Sequence, residues 1–181
     1  MSNELNTASR VEAALQGLLD ADALVAARDG ILTVRVKPEH LHAACAALRD
    51  QAGFETNTLV TARDHGVDKA ARFELFYQFL SYAHGDRVRV SVMTTGDDPE
   101  VDTITDLWPG TKFSERECWD MFGVRFRGHD NLRRLLMPEG FDHHPLRKDF
   151  PHIGIEPDRL YRLWDEKRRA EYAADEKTRG N

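Results

Sequence analysis

The chain has 181 residues, of which 41% are hydrophobic, and a formal net charge of −6. This composition supports one core of ordinary size, and no part of the sequence is basic enough to predict nucleic-acid binding. The two cysteines, Cys45 and Cys118, exclude a disulfide framework and are too few for an iron–sulfur cluster, which normally takes four cysteine ligands. Because the sequence has no apolar run long enough for a membrane span and no signal or transit peptide, we expect a soluble, cytoplasmic protein.

The N-terminal third of the sequence predicts short helices and strands. In chain order we expect a loose terminus over 1–10, a helix over 11–19, strands over 24–28 and 31–36, and a helix over 38–51. Asp29-Gly30 lies between the two strands and is a strong hairpin signal. Pro38 is suited to the first turn of the helix, and Gly53 to its end.

The middle of the sequence predicts more strands. They are expected over 58–63, 72–82 and 87–92, followed by a short strand or extended segment over 101–107. Residues 72–82 fit the periods of a helix and of a strand equally well. The next run, RVRVSV, alternates strictly and follows the short link His84-Gly85-Asp86, which favours a hairpin and therefore a strand over 72–82.

Residues 113–151, here called the signature segment, contain the clearest local signals. Ser114 and Glu117 have the spacing of a capping box, and Gly123 is suited to a left-handed C-terminal cap. We therefore expect a short helix over 115–122. A last short strand or extended piece is expected over 133–137, because Pro138 stops it.

A helical wheel of residues 115–122 places one carboxylate on the apolar face. Glu115 lies among Cys118, Trp119 and Phe122, whereas Arg116, Glu117 and Asp120 lie opposite, with Arg116 and Asp120 spaced as an i,i+4 pair. A buried carboxylate needs a partner, and the planar forks of Arg133 and Arg134 suit bidentate pairing with Glu115 and Glu117, or pairing across an interface. The alternative is that Glu115 meets only the helix dipole.

The signature segment resembles a known family. The resemblance rests on five short motifs: Glu115-Arg116-Glu117, Asp120-Met121-Phe122-Gly123, Gly128-His129, Leu132-Arg133-Arg134-Leu135-Leu136-Met137-Pro138 and His144-Pro145-Leu146-Arg147-Lys148-Asp149-Phe150-Pro151. In this order and spacing they are similar to the C subunit of respiratory complex I, the thirty-kilodalton subunit family of proton-pumping NADH:quinone oxidoreductase. The chain departs from the family pattern at His129-Asp130-Asn131-Leu132, where the family usually has His-Pro-Asp-Leu, and at His143, where it usually has Gly.

The resemblance implies a scaffold subunit that holds no cofactor and has no catalytic site of its own. The complex as a whole would use NADH, FMN, iron–sulfur clusters and quinone. The chain would lie in the peripheral arm, on the cytoplasmic side of a bacterial inner membrane or the matrix side in mitochondria. Its implied partners are the D, B and I subunits of the same complex, of which D forms the quinone site and B and I carry clusters. The signature residues would form the interfaces.

The expected fold class is α+β, with a mixed or antiparallel sheet and a few helices over 1–138. Residues 139–181 combine prolines and glycines with more large apolar side chains than a linker keeps, which predicts an extended C-terminal docking arm. The alternative is that the arm folds back on its own domain. A short polar helix is expected over 165–177.

Two other functions stay open from the sequence. One is the equivalent subunit of a membrane-bound hydrogenase-type complex. The other is a stand-alone metal-dependent enzyme using His143, His144, Asp149 and His152, although their spacing matches no helix-borne ligand pair. His129 is interpreted as a turn histidine rather than a catalytic base, and Cys118 as a buried thiol rather than a nucleophile.

Overall fold

A five-stranded mixed sheet forms the centre of the fold. The computed structural model describes residues 2–19, 23–26, 29–151, 163 and 165–170. The strands are β1 (Leu24–Ala26), β2 (Leu32–Val36), β3 (Thr56–Asp64), β4 (Phe73–Ser81) and β5 (Asp86–Thr94), in the spatial order β1-β2-β5-β4-β3. β2 and β5 pair in parallel and the other neighbours are antiparallel. The α+β class and both predicted hairpins are confirmed.

Three α-helices within residues 2–122, a short helical stretch over 165–170 and a second, smaller sheet complete the described fold. The helices are α1 (Ser2–Ala14), α2 (Leu41–Asp50) and α3 (Thr111–Phe122), with a 3₁₀ turn over Pro38–His40 before α2. The small sheet consists of the parallel strands β6 (Glu100–Asp102) and β7 (Arg125–Arg127). β7 was not predicted, because a three-residue RFR run carries no strand signal without its partner.

The core lies between the helices and one face of the sheet. Along β4 the side chains alternate, and Leu75, Tyr77 and Phe79 are fully buried. They share the core with Leu41 and Leu48 of α2, which are also fully buried. Each such side chain contributes about 1.5–3 kcal/mol to stability. The interpretation of residues 72–82 as a strand is therefore confirmed.

The N-terminal prediction was wrong, because a helix replaces the loose terminus and ends before residue 19. The guanidinium of Arg10 donates to the Asp86 carboxylate at 2.7 Å and to the Ala52 carbonyl at 2.9 Å. Val11 on the same helix is fully buried. These contacts with distant parts of the chain stabilise a segment whose own sequence is too polar to predict a helix.

The segment after β6 and residues 133–137 both differ from prediction. The strand expected over 101–107 is limited to Glu100–Asp102, because the next residues form turns closed by bonds such as Leu107 N–H to the Ile104 carbonyl at 3.0 Å. Residues 133–137, expected as a short strand or an extended piece, form no strand, because the amides of Leu135, Leu136 and Met137 bond to the Asp120 side chain and not to a neighbouring strand.

The first part of the predicted arm lies against the domain. Residues 139–151 contain no helix or strand, and Phe141 among them is buried. Helix is present over 165–170, while the rest of the predicted helix to 177 lies outside the described residues. No helix in the part of the chain that the structure describes has the length and apolarity to cross a membrane. A division at residue 138 stays a prediction.

Candidate functional site

The part of the signature segment that follows α3, residues 123–151, encloses the C-terminal end of that helix. The last four carbonyls of a helix have no partner within it. Here all four are bonded: Trp119 by the Gly123 amide at 2.7 Å, Asp120 by Arg134 Nη1 and His144 Nδ1, each at 3.0 Å, Met121 by the Leu146 amide at 3.0 Å, and Phe122 by Arg147 Nε at 2.6 Å. The two guanidiniums also lie where the helix dipole favours positive charge.

Gly123 allows this close approach. Its φ is +78°, in the left-handed region, so the predicted C-terminal cap is confirmed. A Cβ at this position would collide with the guanidinium of Arg147 and would lie 2.7 Å from the imidazole of His144. Burial and the two nearby arginines, Arg147 and Arg134, lower the pKa of His144 despite its bond to the Asp120 carbonyl, so the ring is neutral near pH 7.

Asp120 fixes the segment that follows β7. Its Oδ2 accepts the amides of Leu135, Leu136 and Met137 at 2.9, 2.7 and 3.0 Å, and its Oδ1 accepts Arg134 Nη1 at 2.8 Å. Burial acts to raise the pKa of Asp120, but Arg134 and the three amides outweigh it and hold the pKa below its usual value. The carboxylate therefore remains ionised inside the protein.

The prediction of a polar face on α3 with an Arg116–Asp120 pair was wrong. Arg116 and Asp120 are buried, because residues 133–137 cover that side of the helix. Arg116 does not pair with Asp120 and instead donates to the carbonyls of Arg133 at 3.1 Å and Arg134 at 2.7 Å. The wheel failed here because it describes one helix and not the chain that packs over it.

Glu115 is fully buried, as the wheel predicted, but its partners are not arginines. Its Oε1 accepts the Ile104 amide at 2.9 Å and its Oε2 accepts the Thr103 hydroxyl at 2.5 Å. Burial raises the pKa of Glu115 to about 7, even though both hydrogen bonds act to lower it. Arg134 pairs with Asp120 and not with Glu115 or Glu117, so that predicted pairing is wrong for Arg134, while pairing of Arg133 across an interface stays a prediction.

The predicted capping box does not form. The helix begins at Thr111 with Gly110 as its N-terminal cap, so Ser114 already lies inside the helix. The Thr111 hydroxyl donates to the Trp108 carbonyl at 2.8 Å. Glu117 is exposed. The turns over residues 104–111 place the start of the helix at Thr111, before the start at residue 115 that the Ser-x-x-Glu motif predicts.

A second polar centre ties the signature segment to the β3–β4 hairpin. Arg72 is 2% exposed and donates to the Asp64 carboxylate at 2.9 Å. The Lys148 amide also donates to Asp64, at 2.7 Å, and Asp149 pairs with Arg72 at 3.1 Å. Burial opposes ionisation of Asp64, but these donors lower its pKa to about 2.

Sequence reasoning missed both Asp64 and Arg72. The one available signal was their position at the same hairpin, since Asp64 is the last residue of β3 and Arg72 directly precedes Phe73, the residue that pairs with Asp64. The ring of Phe73 lies 4.8 Å from the Arg72 guanidinium and 5.1 Å from that of Arg147, so it packs between the two polar centres.

His129 is confirmed as a turn histidine. Its Nδ1 accepts the Asn131 amide at 3.0 Å and its Nε2 donates to the Lys112 carbonyl at 3.2 Å. Cys118 is buried as predicted, and burial raises the pKa of its thiol, which disfavours use as a nucleophile.

The suggested metal ligands are not brought together within the described residues. His144 bonds to a carbonyl, Asp149 pairs with Arg72, and His143 is exposed. No group of three potential ligands occurs among the residues that the structure describes, and His152 lies outside them.

The outer surface of the signature segment combines charged and apolar side chains. Its exposed members include Glu117, Arg133, Leu136, Leu146 and Lys148. Leu136 is 61% exposed and Leu146 is 52% exposed. The inner polar groups bond to the chain itself, and the exposed side chains are available for contact with another surface. We call Arg133, Leu136, Leu146 and Lys148 the signature surface.

The sequence of residues 34–156 matches the model of the family described as the respiratory-chain NADH dehydrogenase 30 Kd subunit, which is more than half of the chain. The chain belongs to this family. Among its relatives, the C 1 subunit of NADH-quinone oxidoreductase from Rhizobium meliloti (strain 1021) is 42% identical over 157 residues, covering 86% of this chain and 76% of that protein. The C subunit from Roseiflexus castenholzii is 40% identical, covering 82% and 83% respectively.

Solved structures show the family fold as well. The trypsin-resistant fragment of Nqo5 aligns with a TM-score of 0.59 at 27% identity, covering 71% of this chain and 99% of the fragment. A chain of an archaeal membrane-bound sulfane sulfur reductase aligns with a TM-score of 0.66 at 23% identity, covering 82% of this chain and 87% of that one. At that identity the second similarity shows the fold alone.

Replacement of Glu115 is expected to remove a pH dependence of stability. The pKa is about 7 in the folded state and 4.5 as the ordinary value, so the contribution of Glu115 is fully favourable below pH 4.5 and is lost as pH rises through 7. Relative to Glu115→Gln, the wild type should lose roughly 3 kcal/mol of unfolding free energy across this interval. Urea unfolding from pH 4.5 to 8 measures it, and parallel profiles of the two proteins would contradict it.

Asp120→Asn should destabilise the fold by about 3 kcal/mol at pH 7, because an amide nitrogen would replace one of the two oxygens that face Arg134 and the three amides. Chemical denaturation measures the change. Glu117→Gln on the exposed side of the same helix is the matched control and should change stability by less than about 0.5 kcal/mol. Equal effects of the two substitutions would show that the Asp120 contacts contribute nothing.

Gly123→Ala should cost about 2 kcal/mol or more, because the left-handed backbone is strained by a Cβ and the Cβ would displace Arg147. The control is Gly140→Ala, where a Cβ meets no atom within 4 Å. Thermal unfolding of both variants tests this expectation. An unchanged melting temperature for Gly123→Ala would refute the close approach of Arg147 and His144.

Proposed function

We propose that this chain is a scaffold subunit of NADH:quinone oxidoreductase that holds neighbouring subunits in position and carries no redox group of its own. The observation that carries the proposal is the division of the signature segment into two parts. Its inner polar groups, Asp120, Arg134 and Arg147, bond to α3 and its own backbone. Its outer side chains are exposed apolar and cationic groups of the kind that form the centre of protein interfaces.

The rigid attachment of this surface suits a spacer role. Residues 133–149 of the signature segment are bonded both to the end of α3 and, through Lys148 and Asp149, to the β3–β4 hairpin. A surface fixed at two separate points loses little conformational entropy on binding. Neighbouring subunits that bind to it would therefore be held at constant separation, which electron transfer between their cofactors requires.

The proposed assembly is the peripheral arm of the complex, with contacts to the D, B and I subunits. In it NADH is oxidised, quinone is reduced and protons are moved by the other subunits. The proposed location is the cytoplasmic side of the bacterial inner membrane, with membrane contact only through partners. Relatives named as the C subunit of NADH-quinone oxidoreductase at 40–42% identity favour this complex over a membrane-bound hydrogenase-type complex.

The proposed interface is tested by reversing its chemistry. Arg133→Glu combined with Leu136→Asp should reduce co-purification of the quinone-site subunit at least tenfold in a strain that lacks its own copy of this chain, because the variant places carboxylates in an apolar and cationic contact. NADH:quinone activity of the membranes should fall in parallel. The readouts are quantitative mass spectrometry of the tagged chain and membrane activity.

The matched control is Val67→Asp combined with Lys69→Glu, which changes one exposed apolar and one exposed cationic residue in the β3–β4 loop. It should retain the quinone-site subunit and activity. Undiminished co-purification by the Arg133 and Leu136 variant would overturn the interface. Oxidation of NADH or reduction of a quinone by the purified chain alone would overturn the scaffold role. Truncation after Pro138 should also abolish co-purification, but it removes Arg147 and Lys148, which stabilise the fold, so the point variants separate loss of the interface from loss of stability.

A further inference from the structure

The sheet has a second face that no described helix covers. We call it the open face: the side chains of β2 to β5 that alternate with the buried ones. Along β4 the buried residues face the helices, and Phe76 and Leu80 point the other way and are half-buried. Neither residue belongs to the core or to the partly buried side chains that pack against it. Leu59 on β3 is 42% exposed and lies on the same face, opposite Gln78.

The open face is cationic although the chain as a whole is anionic. Arg35, Arg63 and Arg87 are exposed on β2, β3 and β5, and none has an ion-pair or hydrogen-bond partner among the described residues. The one carboxylate on these strands of the face, Glu74, is already bonded by His65 Nε2 at 2.8 Å and by the Ser91 hydroxyl at 2.6 Å. Three guanidiniums therefore remain for an external anion.

The sheet register places these arginines around the apolar side chains. Arg87 lies directly opposite Leu80, and Arg35 lies opposite Ser91, which in turn lies opposite Phe76. Arg35 and Phe76 are thus two interstrand spacings apart, about 10 Å. The side chains of a sheet face that contacts only solvent are mainly polar. A Phe and two Leu in one patch, with arginines at its edge, instead indicate a surface that binds a partner.

We propose that the open face is a second docking surface, for an amphipathic helix of a neighbouring subunit whose acidic side chains meet Arg35, Arg63 and Arg87 and whose apolar side chains cover Phe76 and Leu80. The inference rests on the proposed function in that the occupant belongs to the same assembly. Such a helix would convert the sheet from a two-layer to a three-layer arrangement. An anionic membrane fits less well, because Phe76 and Leu80 are already half-buried, whereas a membrane-surface contact uses a fully exposed apolar face that enters the acyl boundary.

The first test reverses the charge. Arg35→Glu combined with Arg87→Glu, in the full chain expressed in a strain that lacks its own copy, should reduce the yield of one co-purified subunit at least tenfold. The matched control, Lys69→Glu combined with Arg125→Glu, makes the same charge change at exposed residues off the open face and should leave that yield unchanged. Unchanged far-ultraviolet circular dichroism and melting temperature show that the variants fold.

The second test keeps the arginines and locates the occupant. A photo-crosslinking amino acid at Gln78, in the middle of the open face, should couple to a helical segment of another subunit that is rich in Asp and Glu. Coupling to residues 152–181 of the same chain, to lipid, to nucleic acid or to nothing would overturn the proposal. If the wild-type chain captures no subunit at all, the proposed function fails; if it captures subunits that neither the crosslink nor the charge reversal affects, only the open face fails.

Discussion

The structure depends on how the C-terminal end of α3 is completed. Four carbonyls must find donors outside the helix, and the donors come from the Gly123 amide, the Leu146 amide and the side chains of Arg134, His144 and Arg147. These bonds fix the path of residues 133–151, which contain no helix or strand. The exposed residues that we propose as an interface are positioned by these buried bonds.

The same logic explains why the signature residues divide into two groups. Asp120, Gly123, Arg134 and Arg147 act inward, on the backbone of the chain itself. Arg133 and Leu136, their neighbours in sequence, act outward because three consecutive amides turn toward the Asp120 carboxylate and leave the adjacent side chains on the surface. The inward group thus fixes the backbone of the segment, and the outward group is left on its surface.

Sequence reasoning predicted the strands and hairpins well, because alternation in RVRVSV and the Asp29-Gly30 turn are local signals. It also placed Glu115 in the core. It failed where contacts between distant parts of the chain determine the structure. The helix α1 is stabilised by the ion pair of Arg10 with Asp86. Arg116 and Asp120 are buried because residues 133–137 cover them. Two of the partners of Asp64 and Arg72, Lys148 and Asp149, lie on the signature segment, so no window of sequence joins them.

The bond between the Lys148 amide and Asp64 spans 84 positions of the chain. During synthesis, a nascent chain that has formed the β3–β4 hairpin therefore holds a carboxylate without one of its native donors until residue 148 has left the ribosome. Because a nearly buried guanidinium and carboxylate are costly to leave incompletely bonded, the domain should reach its final stability only after most of the polypeptide has been translated. Completion of the fold and availability of the signature surface would then coincide in time.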